Sequence, residues 1–129
     1  MTFYPITPVP APRQVRSDTW RPSPMVKRYR AFRDEIRAAK IEIPVPCAVT
    51  FHMPMPKSWS EKKKRAHDGQ PHMQTPDIDN ILKSLLDSIF DDDCAVWTVW
   101  PRKLWARQGG IEIHPISATL WRDHIGEQG

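Results

Sequence analysis

From Ile78 to Ile89 the apolar residues Ile78, Ile81, Leu82, Leu85, Leu86 and Ile89 fall at i, i+3, i+4, i+7, i+8 and i+11. That period reads as an amphipathic α-helix, whose apolar stripe must be covered by a sheet or a second helix. The opposite side carries Asp79, Lys83 and Asp87, flanked by Asn80 and Ser84. The helix opens on Thr75-Pro76-Asp77-Ile78-Asp79 and is followed by the triplet Asp91-Asp92-Asp93. The chain as a whole is nevertheless basic, with 19 Lys and Arg against 15 Asp and Glu and a net charge of +4. Carboxylates gathered in such a chain call for a positive charge between them. A hard divalent cation such as Mg²⁺ prefers carboxylate oxygen and keeps positions open for phosphate. The pattern therefore points to phosphodiester chemistry on nucleic acid.

The distribution of charge says more than its total. Residues 13–40 hold nine basic residues, among them Lys27, Arg30, Arg33 and Arg37, against three acids. Residues 57–65 hold Lys57, Lys62, Lys63, Lys64 and Arg65 against Glu61, and residues 77–93 hold six aspartates against Lys83. Blocks of opposite sign on one small chain suit a polyanion wrapped around an acidic, metal-loaded centre.

At 129 residues the chain is expected to form a single domain, with a core over about 3–116, a basic loop at 57–74 and a tail at 117–129. Phe3 to Ile6 suits a short edge strand, Thr7 to Pro12 is extended by its prolines, and Arg13 to Arg21 is a basic loop. A helix is expected after Ser23 with Pro24 at its first position, its stripe formed by Val26, Tyr29, Phe32 and Ile36. Val49, Phe51 and Met53 alternate with Ala48, Thr50 and His52, which predicts a strand over Cys47 to Met53. Lys57 to Gln74 shows neither period, and a polar stretch of that length reads as a functional or disordered loop. Val96 to Trp100 reads as a strand that Pro101 ends or bulges, with Lys103 to Ala106 as a possible extension. Arg107-Gln108-Gly109-Gly110 suits a hairpin turn into a strand over Ile111 to Ile116. The last dozen residues carry no strong pattern.

Cys47 and Cys94 match neither a disulfide framework nor a zinc spacing, and each is expected to be a buried small hydrophobe in a reducing compartment. No segment has the run of apolar residues that a signal peptide or a membrane span requires, so the expected location is cytoplasmic. His52, His67, His72 and His114 lack metal-ligand spacing. Simpler readings of the acidic motif account for single residues only. Asp77 could be a helix N-cap, and Asp79 and Lys83 an i,i+4 surface pair. A calcium loop is excluded, because the glycine and downstream glutamate it needs are missing and a periodic helix follows instead.

Three segments together, Pro76-Asp77-Ile78-Asp79-Asn80-Ile81-Leu82-Lys83, Leu86-Asp87-Ser88-Ile89 and Asp92-Asp93-Cys94-Ala95-Val96, resemble the signature of the RusA family of Holliday junction resolvases. That signature reads approximately P-D-x-D-N-x-x-K, D-A-L and D-D-x-Q-V. Tyr29-Arg30-Ala31-Phe32-Arg33, Phe51-His52-Met53-Pro54 and Gly110-Ile111-Glu112-Ile113 extend the likeness to roughly residues 3–116. The chain departs from the pattern at Ala95, where the family usually has glutamine, and in a shorter segment between Asp87 and Asp92.

The resemblance implies an α+β domain, a mixed β-sheet with helices packed on it, acting as a homodimer. It implies a Mg²⁺-dependent endodeoxyribonuclease, with Mn²⁺ a possible substitute, that cuts four-way DNA junctions and is common in phages and prophages. Asp77, Asp79 and Asp93 would be its metal-binding carboxylates and Lys83 its catalytic lysine, with Asp92 and Asn80 in support. The charge blocks add Lys27, Arg30, Arg33, Lys57, Lys62, Lys63, Lys64 and Arg65 as phosphate contacts, and Trp59 as a ring on which a base can stack. Most of the six tryptophans are expected in the core. The expected chemistry is in-line attack of water on a phosphodiester, with Lys83 or metal stabilising the developing charge. The alternative is a basic junction-binding protein without cleavage. A phosphohydrolase of small molecules fits the basic blocks poorly.

Overall fold

The computed structural model describes residues 1–12, 20–91 and 94–116. In chain order the elements are β1 (Thr2–Tyr4), α1 (Pro24–Ala38), β2 (Cys47–Pro54), α2 (Glu61–His67), α3 (Ile78–Ile89), β3 (Val99–Ala106) and β4 (Gly110–Pro115). The strands form one sheet in the order β1-β4-β2-β3. β4 pairs antiparallel with β1 and β2, whereas β3 runs parallel to β2 with Phe51 opposite Lys103. The sheet is therefore mixed and the fold α+β, as expected. Parallel neighbours need a long crossover, and residues 55–98, which contain α2 and α3, supply it.

Alternation along the strands sets the two faces of the sheet. Cys47, Val49, Phe51 and Met53 of β2 and Ile111 and Ile113 of β4 turn inward and are buried. α1 covers them with Tyr29, Phe32 and Ile36, and α3 with Ile81 and Leu85. Ser23 caps α1, its Oγ accepting from the Val26 amide at 3.3 Å, and Pro24 occupies the first turn. Both helices lie on the same core and against each other. Ser84 and Ser88, on the buried side of α3, allow a close approach. The Ser88 hydroxyl bonds back to the Ser84 carbonyl at 2.7 Å, and Arg37 Nε of α1 donates to the Ser88 carbonyl at 3.2 Å. Ser84 thus belongs to the helix–helix contact and not to the solvent side where the sequence pattern puts it.

Several expectations are corrected. Residues 57–74 are neither disordered nor devoid of elements, because α2 forms there. Ser60 caps it by accepting from the Lys63 amide at 3.2 Å, and no α2 residue is buried, so no apolar period betrays it. The chain then runs along the outer edge of β3: the Gly69 amide donates to the Trp105 carbonyl at 2.8 Å and the Trp105 amide to the Gln70 carbonyl at 2.9 Å. The third strand begins at Val99 and passes through Pro101, which an edge strand tolerates. Residues 107–110 do not make a hairpin, since β2 lies between β3 and β4. The glycines serve close approach instead: a Cβ on Gly109 would collide with the Thr7 side chain and one on Gly110 with the Phe3 ring. Cys47 is buried but Cys94 is exposed. Of the described tryptophans only Trp105 is buried, while Trp20, Trp97 and Trp100 are exposed. Arg13 to Thr19 of the basic loop and the tail at 117–129 lie outside the described residues.

Candidate active site

α3 begins where the sequence places it. Asp77 occupies the N-cap with extended backbone (φ −67°, ψ 147°), and its carbonyl accepts from the Asn80 and Ile81 amides at 3.1 and 3.2 Å. The side chain makes no capping hydrogen bond. Capping therefore does not account for the Asp77 carboxylate. Asp79 sits in the first turn and Lys83 one turn further, and all three are exposed. Asp79 and Lys83 form no salt bridge with each other, so the surface-pair reading also lapses. Asn80 is half-buried beside them. The positive end of the α3 dipole favours negative charge at this end.

Residues i and i+2 diverge on a helix, but an extended Asp77 ahead of a helical Asp79 brings the pair to one end of α3. Hard carboxylate oxygens of this kind suit Mg²⁺. Among the described residues no group of three His, Cys, Asp or Glu side chains is placed to hold a metal. Asp92 and Asp93, expected to complete the site, lie outside the described residues. The donor set present fits a divalent cation as two carboxylates of an incomplete shell.

One contributor escapes sequence reasoning. The Lys103 ammonium, on the helix-facing side of β3, donates to the carbonyls of Gln74 and Pro76, each at 2.7 Å. Lys103 thereby reaches the segment that delivers Asp77. Only the β2–β3 register, with Lys103 beside Phe51, puts it there.

The basic residues fall on two elements. On α1, Lys27 and Arg30 are exposed and Arg33 is half-buried, its guanidinium 5.7 Å from the Tyr29 ring centre. On and before α2, Lys57, Lys62, Lys63 and Arg65 are exposed and Lys64 is half-buried. Trp59 is half-buried: its ring lies 4.8 Å from those of His67 and Trp105, and Lys63 Nζ lies 4.2 Å from its centre. His72 packs on the same Trp105 at 4.3 Å. Burial, and then the Lys103 charge, push the His72 imidazole below its ordinary pKa. These rings fasten α2 to the edge of β3. On the opposite face of the sheet, His114 Nε2 lies 2.5 Å from the Glu112 carboxylate two residues away on β4, and the β2–β4 pairing brings His52 Nε2 to 3.9 Å from it.

The family model described as Endodeoxyribonuclease RusA matches residues 5–114 of the 129. The chain belongs to the RusA family. The match spans α1, the basic α2, the Asp77–Lys83 motif and the closing strand β4. Membership implies the nuclease activity of a Holliday junction resolvase, and RusA resolvases act on branched DNA with divalent metal. Comparison with curated proteins and with solved structures finds no match. Among the described residues no helix is long and apolar enough to cross a membrane.

Proposed function

We propose that this protein is a Mg²⁺-dependent, structure-selective endodeoxyribonuclease that resolves four-way DNA junctions as a homodimer, in recombination and repair in a phage or prophage setting. The observation that carries the reading is the Asp77 carboxylate, held at the α3 entrance yet unused as a cap, next to Asp79 in the first turn. In this reading Asp77 and Asp79 bind the cation together with Asp93, and Asp92 supports them. Bound Mg²⁺ supplies electrostatic stabilisation of the phosphoryl group and a water of lowered pKa. Lys83, one helical turn from Asp79, neutralises charge that grows on the phosphate oxygens. Lys57, Lys62, Lys63, Lys64 and Arg65, with Lys27, Arg30 and Arg33 of α1, grip phosphates without reading bases. Trp59 offers a ring on which an unpaired base can stack.

The test uses a labelled four-way junction with and without Mg²⁺. Wild-type protein is expected to give paired, symmetrical nicks only with metal. Asp79→Asn should lose cleavage by roughly a hundredfold or more while keeping junction affinity, because loss of a carboxylate removes repulsion from DNA as well as a metal ligand. Binding without nicks by the wild type would leave a junction-binding protein and end the nuclease reading.

A further inference from the structure

Across the inward face of the sheet, Ile111, Phe51 and Lys103 stand in one row, two apolar residues and a cation. Lys103 is half-buried at the edge of that face, where a charge partly withdrawn from water gains from fixed partners. Lys103 finds them in the Gln74 and Pro76 carbonyls, each 2.7 Å from its ammonium, and its own carbonyl accepts from the His72 amide at 3.0 Å. One residue of β3 therefore grips the incoming chain at 72, 74 and 76, up to the peptide that carries Asp77. Within α3, no side-chain bond fixes Asp77. Asp77 meets Asp79 only if the residue ahead of the helix stays extended, so the grip on 74 and 76 supplies what the missing cap does not.

We infer that Lys103 is a positioning residue for the carboxylate pair: it sets the α3 entrance so that Asp77 and Asp79 converge on one cation. The inference rests on the metal-site reading above. It is separable from a plain electrostatic effect by sign. An ammonium near two carboxylates competes with a metal ion, so if charge alone mattered its removal would tighten metal binding. If Lys103 positions the loop, its removal weakens metal binding, as loss of a supporting residue around a metal site does.

The experiment compares wild type, Lys103→Met and Lys103→Arg by calorimetric titration with Mn²⁺ in the absence of DNA, by junction cleavage at saturating Mg²⁺, and by metal-free junction binding. For Lys103→Met the half-saturating Mn²⁺ concentration should rise and turnover should fall, each by roughly tenfold or more, with junction affinity within about twofold. Lys103→Arg, which can still donate to both carbonyls, should recover most of the loss. Mn²⁺ affinity in Lys103→Met equal to or above that of the wild type overturns the inference, and so does a parallel loss of junction affinity, which would make Lys103 a DNA contact. Should Lys103→Met not fold, Lys103→Gln serves, with amide exchange over 75–80 as a second readout; unchanged exchange and unchanged Mn²⁺ affinity count against positioning. A wild type that neither binds Mn²⁺ nor cleaves removes the metal-site reading itself, whereas wild-type metal binding with an indifferent Lys103→Met removes only this inference.

Discussion

At Asp77 the backbone performs the office of an N-cap and the carboxylate does not. Replacement by serine, a good cap in its own right, should therefore leave the melting temperature unchanged or raise stability by up to about 1 kcal/mol. Cleavage should nevertheless collapse, because a hydroxyl is a poor substitute for a metal-binding carboxylate. Thermal melting and the junction assay on one Asp77→Ser sample check both halves. Asp77, Asp79 and Lys83 were legible in the sequence, since a helix period fixes where each sits once the entrance is recognised. Lys103 was not, because its partners 27 and 29 positions away are met only through strand register. His72 is a second such residue. Its pKa is lowered from an ordinary 6.5, chiefly by burial. In the unfolded chain it binds a proton from about pH 6.5 downward, and in the fold only at lower pH. Its contribution is thus fully present above the unfolded pKa and declines as pH falls below it towards the folded pKa. Chemical denaturation between pH 8 and pH 5, at roughly half-unit steps, should show stability falling on the acid side, and His72→Phe should flatten that part of the curve.

Among the elements, α1 and α3 were visible because each must bury a stripe against the sheet. α2 has no stripe and buries nothing, yet its sequence carries weaker signals: Ser60 as cap, Glu61 in the first turn, and Lys64, Arg65 and His67 in the last. These signals complement the helix dipole but do not by themselves outweigh the cost of nucleating a helix. The rest comes from tertiary contacts that no local pattern displays, namely the Trp59–Trp105 packing and the Glu61–Arg107 ion pair at 2.6 Å. Ser60→Ala should then weaken α2 by about 1 kcal/mol. Faster amide exchange at residues 61–67 with an almost unchanged global melt would report it, since α2 lies outside the core. The same element is expected to grip phosphate. Each of Lys62→Gln and Lys63→Gln should lower junction affinity and reduce the slope of log affinity against log salt by about one. Salt slopes that match the wild type would move the DNA contact elsewhere.

At the scale of the molecule, local patterns located most strands and helices and the family resemblance implied the α+β class, but neither expressed the strand order. Gly109-Gly110 between two strands looks like a hairpin, yet β2 separates the flanking strands and the glycines make room for Thr7 and Phe3. Two demands that local sequence does not express decide the order: the crossover that carries α3 must return parallel to β2, and the N-terminal strand must pair with β4. That topology puts α1 and α3 on one face and gives the chain a single Asp77–Asp79 entrance. A junction needs two cuts, so in the proposed two-fold dimer each protomer would supply one of them. The mixing of subunits tests this arrangement. If wild type and Asp79→Asn are combined in equal amounts and allowed to exchange, about a quarter of statistically assembled dimers keep two intact sites and about half keep one. Resolved duplexes from simultaneous cuts should then fall to roughly a quarter of the yield of the same total wild-type protein, with singly nicked junctions accumulating in their place. A monomer that cuts each strand in turn would instead give about half the resolved product and no excess of nicked intermediate, because every active molecule would still complete both cuts.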